Sequence, residues 1–315
     1  MDRDFYNQSS ATKLGWEPPW FGERHFDDKL VRAIKKWQRV RRLKADGLCG
    51  PMTFRRLWTE RQKDIEEQES NNLKYSNYII YNGRNFPIKW EKVVLWTDKD
   101  GIKAPDGSYY DYTGRPKRGV RYFVNHWDVC LSSTSCARVL DKRGISVHFM
   151  IDNDGTIYQT LDMQHAAFHA GSSRSNRASV GVEITNAYYP KYQDTYVQRG
   201  FGKRPVIDDA WVHGNKLDPF LDFYPEQINA LKALWAAIHD ATGIPFKAPE
   251  NQFGKTSTKY EQDVPYGKFS GFVSHYHVSK RKIDCAGLDL VSLLDEVQSE
   301  RLKYPIPRKI SQYIF

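Results

Sequence analysis

The chain has 315 residues, with 47 Lys and Arg against 38 Asp and Glu and a net charge of +9. No stretch approaches the ~18 apolar residues of a membrane-spanning helix, the first residues lack the basic start and apolar core of a signal peptide, and four cysteines are too few for a disulfide scaffold. The positive balance favours polyanions in general, and charge alone does not choose among wall polymers, lipopolysaccharide and nucleic acids.

The first predicted element is a helix opened by Asp27 or Asp28 as N-cap, with Leu30, Val31, Ile34 and Trp37 at helical spacing. A turn at Ala45-Asp46-Gly47 and the pair Gly50-Pro51 follow, then a second short helix from near Thr53. The Lys and Arg between Arg32 and Arg42 lie on the outer face of the first helix, the usual fate of charge. A nucleic-acid-binding protein, the alternative they raise, would need a reading motif that is absent. Residues 59–72, TERQKDIEEQESNN, are charged and poor in apolar side chains. They divide a helical domain, 1–72, from a second domain, 73–315, large enough to bury a full core.

In the second domain YFVNHWD places His126 at the end of an apolar, strand-like run, and ISVHFMIDNDGTIYQ alternates, turns at Asp152 to Gly155 and resumes as a hairpin. After AAFHAG comes SVGVEITN, a strand with Glu183 inside it. A carboxylate between Val182 and Ile184 is costly to bury without a partner, so Glu183 is either paired structurally or functional. Residues 188–224, dense in Tyr, Phe, Trp and charge, form a connection long enough to be functional and could wall a groove. PEQINALKALWAAIHDATG predicts a helix with Pro225 at its first position, Ile228, Leu231, Leu234, Trp235 and Ile238 on one face, and Gly243 at its end. The expected fold class is α/β: a small N-terminal helical domain plus a mixed central β-sheet flanked by helices in the catalytic domain. Finally, FVSHYHVSKRKIDCAGLDL puts His275 after a second apolar run. One strand-end His is more often structural than a ligand. His126, His275 and Cys285 together, however, supply two imidazoles and a thiolate, the three-ligand pattern of catalytic zinc with its fourth position left to water.

The order of residues from His126 through SVHFMIDNDG, HAG and GVEITN to the HYH–Lys–Cys segment resembles the zinc-dependent N-acetylmuramoyl-L-alanine amidases, whose superfamily includes the peptidoglycan recognition proteins. The resemblance implies a Zn2+ cofactor on His126 and His275, with Cys285, ten residues after His275, as third ligand. Asp284 is an alternative, because Lys282-Ile283-Asp284 reproduces the Lys-x-Asp of other members, and His277 is another. It also implies Glu183 as general base, Lys282 as the cation facing the developing oxyanion, and His169 of HAG as a groove-lining, substrate-binding residue. Phage and animal members carry a Tyr where this chain has Val147, which adds weight to Glu183. Inactive members lose the thiolate or carboxylate ligand, and this chain keeps both Cys285 and Asp284, which favours a hydrolase over a catalytically inactive recognition module. Cys130 and Cys136 have the spacing of a recognition-protein disulfide and are expected as thiols in a reducing cytosol.

In the first domain WQRVRRLKADGLCGPMTFRRL resembles the peptidoglycan-binding helical domain at Gln38, Leu43, Asp46, Gly47, Gly50, Pro51, Thr53 and Leu57, with Cys49 as a small buried side chain. The two resemblances imply a modular enzyme that cuts the bond between N-acetylmuramic acid and L-alanine. Its partner would be bacterial peptidoglycan, with no nucleic acid and no membrane span, and it would be a monomer. Without an export signal it resembles a phage endolysin, made in the host cytoplasm and reaching the wall through a holin or by phage delivery. The helical domain is expected to be separable, so that residues 73–315 alone would still hydrolyse soluble muropeptides.

Overall fold

The computed structural model describes residues 2–61 and 76–303. Most of the charged boundary segment therefore lies outside the described residues. The N-terminal part holds three helices, α1 (Arg3–Leu14), α2 (Asp28–Val40) and α3 (Pro51–Arg61). Asp27 caps α2 as expected, accepting from the Lys29 and Leu30 amides, and α3 begins two residues before Thr53. α1 was not anticipated. Its signals are polar caps: Asp2 accepts from the Asp4 and Phe5 amides, and Gly15 ends it at φ +72°. The turn between α2 and α3 is pinned by the buried Gln38, whose amide nitrogen donates to Asp46, the Leu48 carbonyl and Thr53 and whose oxygen accepts from the Gly47 amide. Gly47 sits at φ +80°, where an added Cβ would come within 2.7 Å of Val31, so both backbone and space require glycine. Cys49 is fully buried, as expected of a small apolar filler.

The second part is built on a six-stranded sheet of β1 (Val93–Leu95), β2 (Tyr122–Trp127), β3 (Phe149–Ile151), β4 (Ile157–Gln159), β5 (Ser179–Ile184) and β6 (Gly271–Ser274), in the order β6-β2-β5-β3-β4-β1. Only β3 and β4, the predicted hairpin, run antiparallel, closed by the Gly155 amide on the Asp152 carbonyl. The sheet is thus mixed, and the protein is α/β with an N-terminal helical region. Three helices flank it: α4 (Ser133–Arg143), α5 (Pro225–Thr242) and α6 (Leu290–Lys303). α5 has Pro225 at its start and ends at Gly243 with φ +75°.

The strands have a period of two, and their faces go to different cores. Phe123, Phe149, Ile151, Ile157, Val180, Val182 and Ile184 pack with Leu231, Leu234, Trp235 and Ile238 of α5 and with Leu294 and Val297 of α6. The intervening residues Val94, Met150 and Tyr158 join a second cluster with Cys136, Val139 and Leu140 of α4 and with Ala11, Leu14, Trp16, Leu30, Ile34, Phe54 and Leu57 of the N-terminal helices. His126 and Glu183, between apolar residues of the first core, belong to this second face, and Met150 is the ladder partner of Glu183. The helical part therefore covers the same side of the sheet that carries the candidate site residues.

This shared core bears on the expected separability of the two units, since helical part and sheet bury side chains in common. A fragment beginning at residue 73 would expose Cys136, Val139, Leu140 and Val147 to water, and each fully buried side chain of this kind is worth about 1.5–3 kcal/mol. We expect the fragment to lose on the order of 5 kcal/mol of stability. Chemical denaturation of fragment and full chain would check this, and equal midpoints and slopes would show the helices to be dispensable for folding.

The connection at residues 188–224 is a built element. Tyr192, Tyr196, Leu221 and Tyr224 form their own cluster with Leu131 and Ala187. Arg204 pins it to the sheet by donating to Asn153 (2.6 Å), the Thr185 carbonyl (3.0 Å) and the Asp222 carbonyl (2.9 Å). Among the described residues no helix is long and apolar enough to cross a membrane.

Candidate active site

β2, β5 and β6 run parallel, and their carboxyl ends lie side by side, the place where open α/β sheets present ligand sites. His126 is the next-to-last residue of β2, and His275 follows β6 directly as the first residue of the short helix His275–Val278. Both expected strand-end positions are therefore found. Asn125 holds the two strands in step, donating to the Val273 carbonyl (2.9 Å) while accepting from the buried Trp235 indole (3.1 Å).

The two imidazoles meet: Nδ1 of His126 is 2.9 Å from Nδ1 of His275. Oδ2 of Asp284 completes the group at 2.9 Å from His275 Nδ1 and 3.3 Å from His126 Nδ1. All three side chains are buried, and their ligand atoms converge closely enough to hold one metal ion. Burial, with the neighbouring His275, holds His126 down to about 3, and burial likewise lowers His275. Burial would raise the Asp284 carboxyl, but the two imidazoles and Lys282 outweigh it and hold it well below the usual range. Two neutral imidazoles and one carboxylate are the protonation states metal binding needs. The donor set fits zinc, whose ligands, about 2.0–2.2 Å from the ion, stand a little over 3 Å from one another in a tetrahedral site.

The expected Cys285 ligand is not brought to this group. Cys285 is fully buried in the apolar core instead, packed with Ala286, Leu288 and residues of the sheet, where burial pushes its thiol far up. Counting ten residues from His275 selected the wrong neighbour because the path of the chain, not the count, decides which side chain turns inward. Here the Tyr276 amide donates to the Asp284 carbonyl, folding residues 276–284 back so that Asp284 faces the imidazoles. His277 is committed elsewhere: its Nδ1 accepts from the Ser274 amide (3.0 Å) and its Nε2 donates to the Ser257 carbonyl (2.7 Å).

His169 lies at the site, in a role the sequence did not suggest. With His126 Nδ1 facing the ligand group, His126 Nε2 donates to His169 Nδ1 (3.0 Å) and His169 Nε2 donates to Ser179 (3.1 Å), whose hydroxyl donates to the Ser175 carbonyl (2.7 Å). This relay fixes the tautomer and orientation of His126, as hydrogen-bonded partners of metal-binding imidazoles commonly do. Gly181 makes room for it, since an added Cβ there would sit 2.5 Å from the His169 ring. That glycine, in SVGVEI, was the available signal for a close approach.

Glu183 is the ladder partner of His126 and points to the same face. It is buried, and among the described residues its Oε2 has no hydrogen-bond partner. Burial raises its carboxyl to about 8, Arg55 and Lys282 oppose that shift, and Asp128 and Asp284 reinforce it. Lys282 is half-buried beside the group; burial lowers its ammonium, which acts on His126, His275, Glu183 and Asp284. Val147 is buried in the second core and offers no hydroxyl to the site. Cys130 and Cys136 are free, buried thiols near Asp128. The Asp128 carboxylate is already engaged by Thr185 and by the Cys130 and Asn186 amides.

The sequence model of the N-acetylmuramoyl-L-alanine amidases matches residues 115–285, more than half of the chain, and that of a peptidoglycan binding domain matches residues 13–57. No curated protein matches the chain. Among solved structures the chain is similar to the hydrolase AmiA of Staphylococcus aureus in complex with its ligand, at 14% identity over 76% of this chain and 94% of that one, with a TM-score of 0.40. A mutant endolysin from Bacillus subtilis matches at 18% identity over 67% and 96%, with a TM-score of 0.34. The amidase AmiD of E. coli, in complex with the substrate anhydro-N-acetylmuramic acid-L-Ala-D-gamma-Glu-L-Lys, matches at 21% identity over 44% and 54%, with a TM-score of 0.29. With the amidase match spanning β2 through Asp284 and the binding-domain match lying on the N-terminal helices, the chain belongs to the N-acetylmuramoyl-L-alanine amidase family and is a peptidoglycan hydrolase.

Proposed function

We propose that the protein hydrolyses the amide between the lactyl group of N-acetylmuramic acid and L-alanine with a zinc ion on His126, His275 and Asp284. The observation that carries this reading is the convergence of two neutral imidazoles and one carboxylate within 3.3 Å, beside a buried Glu183 oxygen that none of the described residues satisfies. Zinc at that position supplies Lewis-acid activation of water and of the scissile carbonyl. Glu183 accepts the proton of the attacking water and passes it to the departing amine of L-alanine, a task suited to a carboxyl whose buried site lifts it toward neutrality. Lys282 faces the negative charge that develops on the carbonyl oxygen. His169 keeps His126 in its ligating tautomer, and its half-buried ring would also line the groove.

The wider setting we propose is that of a phage endolysin-like enzyme. It would be made in the host cytoplasm, act on the wall after holin release or phage delivery, and work as a monomer. The two bodies of support are the peptidoglycan binding domain and the amidase family of the larger part.

The test is amine release from a soluble muramoyl-L-Ala-D-γ-Glu-L-Lys peptide after dialysis against a chelator. Turnover is expected to fall to background and to return on addition of one equivalent of zinc. Turnover that survives complete metal removal would sink the proposal.

A further inference from the structure

α3 is clamped against the loops that leave the catalytic strands. Thr59 donates to the Val129 carbonyl at 2.7 Å, just beyond the end of β2 and three residues after His126. Arg56 lies over the Tyr189 ring, and Lys191 reaches Glu60 at 2.7 Å, both in the segment that follows β5 and Glu183. Arg55 is one turn before Thr59 on α3 and so shares its face, toward the carboxyl ends of β2 and β5. This is the side of the sheet that the helical part covers and on which Glu183 and its partner Met150 lie.

The Arg55 guanidinium is half-buried, yet among the described residues it has neither a hydrogen-bond acceptor nor an ion-pair partner. Burial works against its charge, and Glu183 leads the groups that support it, followed by Cys130, Cys136 and Asp128. Glu183 and Arg55 thus attract each other without pairing, and among the described residues Oε2 of Glu183 is itself unsatisfied. A planar fork of five donors, partly withdrawn from water and left unpaired, is complementary to a carboxylate.

We propose that Arg55, supplied by the helical N-terminal part, is a substrate-positioning residue of the amidase cleft that binds the first free carboxylate of the stem peptide beyond the scissile bond. This rests on the amidase reading. In a peptide that continues L-Ala-D-γ-Glu, the γ linkage leaves the α-carboxylate of the glutamate free, one residue after the alanine whose amine is released. The peptidoglycan-binding part then does more than tether the enzyme: it completes the site, which accounts for its placement on the catalytic face of the sheet.

The test compares two soluble substrates, muramoyl-L-Ala-D-γ-Glu-L-Lys and its analogue with a carboxamide in place of the glutamate α-carboxylate, on the full chain and on the Arg55→Met and Arg55→Lys variants. A charge-assisted contact of this kind predicts that Arg55→Met raises KM for the carboxylate substrate about tenfold or more. KM for the carboxamide substrate should be unchanged, zinc content should be preserved, any change in kcat transmitted through Glu183 should be the same for both substrates, and Arg55→Lys should restore part of the KM preference. Equal shifts of KM for both substrates, or none for either, would overturn the assignment. Calorimetry with the two product peptides reads the same preference without turnover. A wild-type protein that cleaves neither substrate but prefers the carboxylate peptide through Arg55 would contradict the amidase reading and still support this one.

Discussion

Replacing Asp284 with alanine is expected to remove the metal and with it amide hydrolysis, while replacing Cys285 with alanine leaves both in place. The carboxylate of Asp284 touches both imidazoles, and its loss leaves a two-histidine site with a smaller negative charge. Removing even an outer partner of a metal ligand costs about 10- to 100-fold in affinity or activity, so loss of a ligand itself should cost at least the upper end of that range. Cys285 sits among apolar side chains, and trimming it to alanine should cost about 1 kcal/mol of stability through a small cavity. Zinc content by mass spectrometry of the folded variants, with turnover per folded molecule, separates the two. Loss of zinc in Cys285→Ala with retention in Asp284→Ala would restore the thiolate as ligand.

The second large effect is expected at Glu183. Glu183→Gln keeps the shape of the side chain but cannot accept a proton, and general-base assistance is worth about 100- to 10,000-fold. The variant should therefore bind zinc normally and lose turnover within that range. Its stability should move the other way. Glu183 is raised to about 8 in the folded protein from an ordinary value of 4.5, so the metal-free wild type is favoured below pH 4.5 and loses that stability as pH rises toward 8. The neutral Gln has no such loss. Thermal melts of metal-free wild type and variant should thus diverge in favour of the variant across this window, a sign that a purely structural ion pair at Glu183 would reverse.

How much of this was legible in the sequence depends on whether a feature is local. Periodicity and caps placed α2, α5 and the hairpin, because Asp27, Pro225, Gly243 and the Asp152–Gly155 turn act within a few residues of themselves. The two strand-end histidines and the isolated Glu183 were also readable, since a polar residue inside an apolar strand reports its own cost. Cys285 against Asp284 was not, because adjacent residues differ in nothing but the direction the folded segment gives them. The docking of the helices on the catalytic face was equally hidden: Leu30, Val31, Ile34 and Trp37 read as the apolar face of a helix in a small domain, and only the fold shows that Leu30 and Ile34 share a core with Val139, Leu140 and Met150. Arg55 belongs to the same class, an ordinary basic residue on a helix until that helix is placed beside Glu183.

The central claim, that this site cuts the muramoyl-alanine amide, is tested most directly by mass spectrometry of the fragments released from purified sacculi by the zinc-loaded full chain. The account predicts free stem peptides beginning at L-alanine, accompanied by glycan strands bare of peptide, and their disappearance when a chelator is present. Disaccharide peptides with the muramoyl-alanine bond intact would contradict it.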